Sequence, residues 1–277
     1  MSDRPERIPL NEPTLIRETD AIKGMWGNEI SKFVPTLFYG LSKELMMLSL
    51  TIKPGEGFRA YAEFRAYFAS QLCLYVIEGQ YTYQNPETGE VRTAQQGEIL
   101  FFHEKLWNYG HNFGDKDVRI LEIFSPPANA ATLADTPIPE KEKFINQSAL
   151  DHMKNLEGGE GHNPRLRNDQ NAVESLIPGE PNIWTRVYAS TDQIFMAKTS
   201  LLPSQYSKPI IAPYDMVIYT IAGQIEVVIE RTGEKLSAEK ADIIFIPANE
   251  AYMIINNSNG MSVNLVAGSG SFSSIYA

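Results

Sequence analysis

The strongest constraint on this chain is an internal repeat with an offset of 144 residues. The segment Tyr75-Val-Ile-Glu-Gly79 returns as Tyr219-Thr-Ile-Ala-Gly223, and a Gln follows the glycine in both copies. Further matches occur at the same offset, at Thr88-Gly89-Glu90 with Thr232-Gly233-Glu234, at Phe101 with Phe245, and at Asn112 with Asn256. Two copies of this length indicate a duplicated domain rather than a solenoid of many short repeats.

Length and composition agree with two globular domains. The 277 residues are 43% hydrophobic and 21% charged, so each half is long enough to bury its own core. A net charge of −10 argues against nucleic acid or an acidic membrane as a partner, because both require clustered Lys and Arg. No apolar run reaches the roughly 18 residues of a membrane-spanning helix. The negative charge mainly favours solubility.

The sequence also indicates a reducing compartment. Cys73 is the single cysteine, so an intrachain disulfide cannot form. The segment Met1-Ser-Asp-Arg-Pro-Glu-Arg7 is charged and lacks the apolar stretch of a signal peptide. These features predict a cytoplasmic protein.

Short strands at even spacing dominate both halves, which is typical of a sandwich or barrel. Examples are Leu72–Ile77, Val118–Phe124 and Met216–Ile221, each bounded by turn residues. We predict an all-β protein with an N-terminal arm (1–40) packed on a barrel, a first barrel (41–127), a connector (128–185) and a second barrel (186–277). Pro and Gly are frequent in the connector, and 148–156 reads as a short helix.

The order of these strands and turns resembles the cupin superfamily, and two copies in one chain resemble a bicupin. The resemblance rests on Tyr-Val-Ile-Glu-Gly79, the hairpin, Gly97-Glu-Ile-Leu-Phe101 and Asn112, with their second copies. It implies two tandem jelly-roll barrels, each with an interior pocket. Most cupins hold a divalent metal there, through two His and a Glu of a first motif (Gly-x5-His-x-His-x3-4-Glu-x6-Gly) and a third His of a second motif (Gly-x5-Pro-x-Gly-x2-His-x3-Asn).

The glycines and final asparagines of these motifs are present, whereas the ligands are not. The His of the second motif falls on Asn108 in the first half and on Tyr252 in the second. Counting from Gly79 and Gly223 puts the Glu at Gln71 and Asp215. The two remaining His positions fall on Arg65 and Tyr67, or near Tyr61 and Glu63 in another register, and around Pro209 to Ile211 in the second half.

These residue types predict that no metal and no other cofactor is bound. Transition metals prefer imidazole, thiolate and carboxylate ligands, usually three from the protein at a catalytic site. Arginine does not serve as a ligand, and amide oxygens suit harder cations. A metal held in a non-standard geometry by Glu63, His103 and Asp215 stays an alternative.

The first barrel is the predicted working site. Period-two alternation puts Arg65, Tyr67, Gln71, Cys73 and Tyr75 on one face, which we expect to point inward with Asn108, Gly110 and Asn112. Arg59 and Arg65 are the predicted anchors for an anionic ligand, because the guanidinium fork fits a carboxylate or phosphate. The alternative is an internal salt bridge with Glu56 or Glu63.

Tyr67, Gln71, Asn108 and Asn112 would orient the ligand, and His103 and Tyr67 would transfer protons. Cys73 is expected to be a small buried hydrophobe rather than a nucleophile. In the second barrel the candidates are Asp215, Tyr219 and Tyr252, with Asp215 and Tyr252 as an acid/base pair. The competing interpretation is a barrel filled by its own side chains with a scaffold role.

Three functions follow. The first is a metal-independent bicupin that performs proton-transfer chemistry of the isomerase, cyclase or lyase type on a small anionic or aromatic molecule. The second is a non-enzymatic ligand-binding or scaffold bicupin. The third is a dioxygenase-like bicupin that holds a metal through unusual ligands. Because cupins commonly associate through their sheets, the resemblance also implies a homodimer.

Overall fold

The computed structural model describes residues 10–28, 32–58, 70–85, 90–104, 106, 109–128 and 164–276. Almost all regular structure in these ranges is β-strand. The first half contains β1 (Thr14–Ile16), β2 (Ile22–Asn28), β3 (Lys32–Leu41), β4 (Met46–Ile52), β5 (Gly57–Phe58), β6 (Gln71–Glu78), β7 (Gln80–Gln84), β8 (Val91–Gln95), β9 (Ile99–Phe102), β10 (Tyr109–His111) and β11 (Val118–Ser125).

The second half repeats this series of strands. It contains β12 (Arg165–Arg167), β13 (Val173–Ile177), β14 (Gly179–Glu180), β15 (Ile183–Ser190), β16 (Phe195–Leu201), β17 (Tyr206–Ser207), β18 (Ile210–Ile211), β19 (Met216–Ala222), β20 (Gln224–Ile229), β21 (Lys235–Glu239), β22 (Ile243–Ile246), β23 (Ala251–Ile255) and β24 (Ser262–Gly268). Two short 3₁₀ helices span Glu18–Asp20 and Phe272–Tyr276. None of the helices in these described ranges is long and apolar enough to span a membrane.

In each half, an equivalent glycine turns the chain from the large sheet to the small sheet. Gly79 lies between β6 and β7 with φ +80°, and Gly223 lies between β19 and β20 with φ +75°. These are left-handed conformations that side chains with a Cβ rarely adopt. A Cβ would also lie 2.7 Å from the Asp117 carbonyl oxygen in the first half and 2.5 Å from that of Met261 in the second. The repeated glycines are therefore required by the same turn in both copies.

Each half is a sandwich of a large and a small antiparallel sheet. The large sheets have seven strands each, in the orders β12-β9-β6-β11-β4-β3-β2 and β1-β22-β19-β24-β16-β15-β13. The small sheets run β5-β10-β7-β8 in the first half and β14-β17-β23-β20-β21 in the second, where β18 also pairs with β23. Strand for strand, the two large sheets correspond, which confirms the predicted all-β fold of two tandem jelly-roll barrels.

The two halves exchange their first strands. β1 of the N-terminal arm pairs with β22 of the second barrel, while β12 pairs with β9 of the first barrel. The rest of the arm, β2 and β3, extends the large sheet of the first barrel beyond β4. Residues 164–185, which the sequence assigned to the connector, likewise form strands of both large sheets. The helix predicted at 148–156 lies outside the described residues.

Three apolar cores result from this arrangement. One fills the first barrel, with residues such as Leu72, Leu74 and Phe102. A second fills the second barrel, with Met216 and Ile218 among its members. The third lies between the barrels, where the two large sheets pack face to face through residues of both halves, including Tyr39, Cys73, Leu121, Tyr188, Val217, Tyr219 and Phe245.

At the edge of the third core, acidic residues that follow the exchanged strands also connect the two halves. Glu18, two residues after β1, forms an ion pair with Arg119 of the first barrel. Asp169, two residues after β12, pairs with Lys198 of the second barrel and accepts a hydrogen bond from the Tyr188 hydroxyl. Each exchanged strand thus extends the sheet of one barrel, and the acid beyond it contacts a base of the other barrel.

Candidate functional site

Strands β6 and β19, each third in its seven-stranded sheet, are buried on both faces, and this decides which residues line the barrels. Cys73 and Tyr75 point into the core between the barrels, while Leu72 and Leu74 point into the first barrel. The prediction that Gln71, Cys73 and Tyr75 face the interior is therefore wrong. In the cupin motif, six residues lie between the ligand Glu and the glycine that follows it. Counted back from Gly79, the Glu position is therefore Leu72 rather than Gln71.

The same error affects the second half. Met216 and Ile218 face the second barrel, whereas Val217 and Tyr219 belong to the core between the barrels. Tyr219 is 2% exposed there, and burial raises the pKa of its hydroxyl far above the ordinary value. Tyr219 is therefore not a residue of the second-barrel interior, as the sequence had suggested.

Gln71 and Asp215 occupy equivalent sites where one barrel meets the other. The Gln71 side-chain oxygen accepts a hydrogen bond of 2.7 Å from the Thr191 hydroxyl of the second half. Asp215 accepts one of 3.0 Å from the Ala248 backbone N–H, and its own N–H donates to Glu44 of the first half at 3.3 Å. The Gln71 side chain therefore joins the halves, whereas the Asp215 carboxylate binds a backbone N–H of its own half and only its backbone N–H reaches the first half.

Asn112 supports a turn instead of a ligand. Its Nδ2 donates to the carbonyls of Ile52 at 2.8 Å and Lys116 at 2.7 Å, and its Oδ1 accepts the N–H of Gly114 at 2.9 Å. Asn256 makes the equivalent bonds in the second half. The recurring asparagine is therefore a structural feature of the repeat, and the ligand-orienting role predicted for Asn112 is not supported by its contacts.

His103 lies outside the first barrel. Its ring contacts that of Phe101 edge-on at 4.8 Å, and Phe101 belongs to the core between the barrels. Partial burial and the nearby Arg165 lower the pKa of His103, against the opposing effect of Glu104. Four other predicted site residues, Arg59, Arg65, Tyr67 and Asn108, lie outside the described residues.

The second barrel is filled around Tyr252, the position that the cupin resemblance gave to a metal-ligand histidine. Tyr252 points inward as predicted, is 1% exposed, and has a pKa raised far above its usual range by burial. Beside it remains a cavity of about 10 Å³, near the lower limit for a single water molecule. The cavity is enclosed by Ile177, Ile210, Met216, Ile218, Tyr252, Ile254, Val266, Phe272 and Ile275.

The interior of the first barrel carries a carboxyl group that the sequence reading missed. In β11 the residues that point into the barrel are Val118, Ile120 and Phe124, and Glu122 has the same parity. Glu122 is paired with Leu48 on one side and with Leu74 on the other, and it is 6% exposed. No residue that the structure describes donates a hydrogen bond to it or forms an ion pair with it.

Burial determines the protonation of this carboxyl. Desolvation alone raises the pKa of Glu122 from 4.5 to about 8, because the charged form is disfavoured in an apolar environment that offers no compensating partner. At neutral pH the group is mostly a neutral acid. The signal in the sequence was a single acid at inward parity within the apolar run Val118–Phe124.

The repeat shows that the first barrel is polar where the second is aliphatic. At an offset of 144, Glu122 corresponds to Val266. On β7, Tyr81 is 2% and Tyr83 0% exposed, and Asn85, which follows the strand, is 0% exposed. They take the places of Ile225, Val227 and Ile229, which lie in the core of the second barrel. Among the described residues, the polar side chains that replace aliphatic ones of the second barrel therefore lie on β7, on the residue that follows it and on β11.

The position of the Tyr81 ring also depends on a residue that differs between the two copies. Gly110 in β10 stands where the second barrel has Ile254, and a Cβ at Gly110 would lie 2.7 Å from Cε2 and Cζ of Tyr81. The small residue therefore makes the space that the Tyr81 ring occupies. His111, the next residue, is buried and stacks on Phe113.

Fold and site together define a protein of two tandem jelly-roll barrels. No protein-family model matches the chain, and no curated protein sequence does. Among solved structures, a tryptophan-to-tyrosine variant of oxalate decarboxylase from Bacillus subtilis is similar, with a TM-score of 0.63, 14% identity, and coverage of 95% of this chain and 78% of that chain. The structure of the same enzyme at pH 4.6 gives 0.61, 13%, 95% and 77%.

At this level of identity the comparison supports the shared fold alone. Another structure of the Bacillus enzyme, described for its Mn(II) centres, has a TM-score of 0.62, is 15% identical and covers 97% of this chain and 79% of that chain. The likeness extends over both barrels of the chain studied here. It is in agreement with the bicupin architecture predicted from the repeat.

Proposed function

We propose that this bicupin is an enzyme that transfers protons to or from a small organic molecule inside its first barrel, without a transition-metal ion. The observation that carries the proposal is the Glu122 carboxyl, which is buried, faces the barrel interior and has no partner among the described residues. An unpaired acid in such a place lowers stability, so it is better explained by chemistry than by packing.

The protonation state of Glu122 suits this role. A general acid or base works best when its pKa lies near the working pH, and burial raises the pKa of Glu122 to about 8. The neutral acid can donate its proton to a basic atom of the substrate, and the carboxylate that results can take a proton from a carbon or oxygen atom. The apolar neighbours Ile120 and Phe124 would keep bulk water away from this exchange.

The substrate class rests on the sequence. Arg59 and Arg65 stay the proposed anchors for an anionic group, and Tyr67 and Asn108 the proposed orienting residues. Tyr81 and Tyr83 add aromatic surface to the same barrel interior. Together these residues favour a small molecule with an anionic end and a flat or aromatic body.

The residues at the cupin ligand positions do not fit a transition metal. In the second barrel these positions are Ile210, Ala212, Met216 and Tyr252, of which only the phenol has an oxygen donor. In the first barrel the Glu position is Leu72 and the position of the third His is Asn108. Within the described part of the chain, no group of three or more His, Cys, Asp or Glu is arranged to hold a metal ion. This is the argument for replaced ligands in both barrels.

The proposal is tested by hydrogen exchange into a bound compound. Small carboxylates and aromatic acids are screened by thermal shift, since a ligand that binds the native state raises its stability by mass action. Compounds that bind are then incubated with the protein in D₂O and followed by proton NMR. We expect deuterium to be incorporated into at least one compound. This incorporation should continue after the protein has been dialysed against EDTA, and it should be absent in the Glu122→Gln variant.

Glu78→Gln is the matched control, because Glu78 is an exposed carboxyl of the same barrel. It should leave both binding and exchange unchanged. Binding without exchange in any compound would identify a binding protein instead of an enzyme. Exchange that EDTA abolishes and Mn²⁺ restores, together with a stoichiometric metal content by mass spectrometry, would establish a metal-dependent enzyme and overturn the proposal.

A homodimer and a cytoplasmic location remain predictions of the sequence. Light scattering of the purified chain tests the first of them. Fractionation of the source cells tests the second.

A further inference from the structure

A row of four polar side chains crosses the inside of the second barrel. Thr185, Thr199, Asn264 and Thr220 are direct partners on the neighbouring strands β15, β16, β24 and β19. Their parity is that of Val187, Ala197, Val266 and Ile218, which all belong to the interior core. Direct partners in an antiparallel sheet have Cα atoms about 4.5–5.5 Å apart, so the four side chains lie side by side.

All four residues are fully buried, with 0% exposure. The hydroxyl oxygens of Thr185, Thr199 and Thr220 and the Oδ1 of Asn264 have no hydrogen-bond partner in the described part of the chain. The Asn264 Nδ2 donates to the Ser262 hydroxyl at 3.0 Å, which fixes the orientation of its amide. Buried polar atoms without partners are rare in native proteins and usually mark bound water or an ion.

The row is absent from the first barrel, although the backbone is equivalent there. The corresponding partners are Thr36, Leu50, Ile120 and Val76, related by the same strand pairings. Three of them are apolar, and the Thr36 hydroxyl donates to the Val34 carbonyl at 3.0 Å. The fold therefore does not require polar groups at this level, and the unpaired oxygens are a feature of the second barrel.

We propose that Thr185, Thr199, Thr220 and Asn264 form an internal hydration site that binds one or two ordered water molecules within the second barrel. The small apolar cavity beside Tyr252 lies next to this row, since its lining includes Ile218 and Val266, which are two residues from Thr220 and Asn264 on the same strands. Three hydroxyls can each donate and accept, and the amide oxygen accepts, which matches the roughly three hydrogen bonds of a typical buried water. The row carries no charge, so it would not compensate a buried cation.

The substitution Thr220→Val tests the site, because it removes one hydroxyl while keeping the shape. A hydroxyl that truly lacks a partner lowers stability, and its removal raises the thermal midpoint. A hydroxyl that binds water behaves in the opposite way. We expect Thr220→Val to lower the midpoint by about 2–4 °C, and Asn264→Ile, which installs the residue of the first barrel, to lower it as well.

The double variant Thr220→Val/Asn264→Ile tests whether the two side chains bind the same water molecule. If both side chains bind the same water, the double variant loses clearly less than the sum of the single losses. Combining Thr220→Val with Thr36→Val, in the other barrel, provides the additive control. A rise of the midpoint in Thr220→Val, or additivity with Asn264→Ile, would contradict the hydration site.

A crystal structure of the unmodified protein gives the second test, which does not depend on how the variants fold. Crystals grown in NaCl and in RbCl should both show density within about 2.7–3.2 Å of at least three of the four side-chain oxygens, without an anomalous rubidium signal. A rubidium peak would make the site a monovalent-cation site. Threonine hydroxyls that donate to backbone carbonyls, with no density between them, would remove the site altogether.

Discussion

Glu122 and Val266 occupy the same position in the two barrels of one chain. Each lies in the middle strand of its seven-stranded sheet, Glu122 opposite Leu74 and Val266 opposite Ile218, and each is almost completely buried. The duplicated backbone thus carries an aliphatic side chain in one copy and a carboxyl in the other. Because packing is satisfied by valine, the acid requires a different explanation, and this is the basis of the proposed chemistry.

Stability should depend on pH through Glu122. Its pKa is raised to about 8 in the folded protein, against 4.5 as the ordinary value. Between these two pH values the unfolded chain has released the proton and the folded protein keeps it, so stability is complete below pH 4.5 and falls as the pH rises toward 8. The full effect is about 5 kcal/mol, from roughly 1.4 kcal/mol per pKa unit.

Urea unfolding of the wild type and of Glu122→Gln between pH 4.5 and 9 measures this effect. Glutamine cannot titrate, so the variant should match the wild type within about 1 kcal/mol at pH 5 and exceed it in stability above pH 8. A difference between wild type and Glu122→Gln that stays constant with pH would show that Glu122 is not held neutral by burial.

Tyr81 and Gly110 should behave as a matched pair. A methyl group at Gly110 would meet the Tyr81 ring, which is 2% exposed and held between strands. Gly110→Ala should therefore cost about 1–3 kcal/mol of stability, as overpacked cores do. Tyr81→Ile restores the aliphatic residue of the second barrel and should relieve the clash. Thermal unfolding of the two single variants and the double variant measures the coupling; additive losses would argue against direct contact.

The fold was readable from the sequence, while the site was largely not. The repeat and the turns at Gly79 and Gly223 define the two barrels. Hydrophobic alternation, however, identifies a barrel interior only when the other face of a strand meets water. In β6 and β19 both faces are apolar, because one lines a barrel and the other lines the core between the barrels. A shift of one residue then reverses every side chain without any visible conflict in the pattern.

That ambiguity explains why Gln71 and Asp215 were predicted to face the barrel interior. Both were assigned to a ligand site by counting back from Gly79 and Gly223 in the cupin motif, which placed each of them one residue before the inward-facing Leu72 and Met216. In the structure the Gln71 side chain bonds to Thr191 of the other half, and the Asp215 carboxylate accepts the N–H of Ala248 while its backbone N–H donates to Glu44 of the first half. Contacts between halves depend on how two sheets pack, which a local pattern does not encode. Glu122 was detectable in principle, as an acid at inward parity, but no motif drew attention to it.

The exchanged strand β1 should stabilise the second barrel. Ile16 is 8% exposed and belongs to the core between the barrels, while its strand pairs with β22. Ile16→Ala should lower the free energy of unfolding by about 2–4 kcal/mol, through lost burial and the cavity left behind. Met25→Ala, at a residue 57% exposed, is the control and should change little. Hydrogen exchange at the β22 amides reports the effect locally; unchanged protection there would contradict it.

Cys73 should be chemically silent in the folded protein. It is 0% exposed within the core between the barrels, and burial raises the pKa of its thiol far above the ordinary value. Thiol reagents attack the thiolate, so both access and ionisation are prevented. A colorimetric thiol titration should detect close to no reaction in the native protein and one thiol per chain in guanidinium chloride. Rapid native labelling would mean that the two large sheets separate in solution, and that the shared core is less tightly closed than the packing of Cys73 indicates.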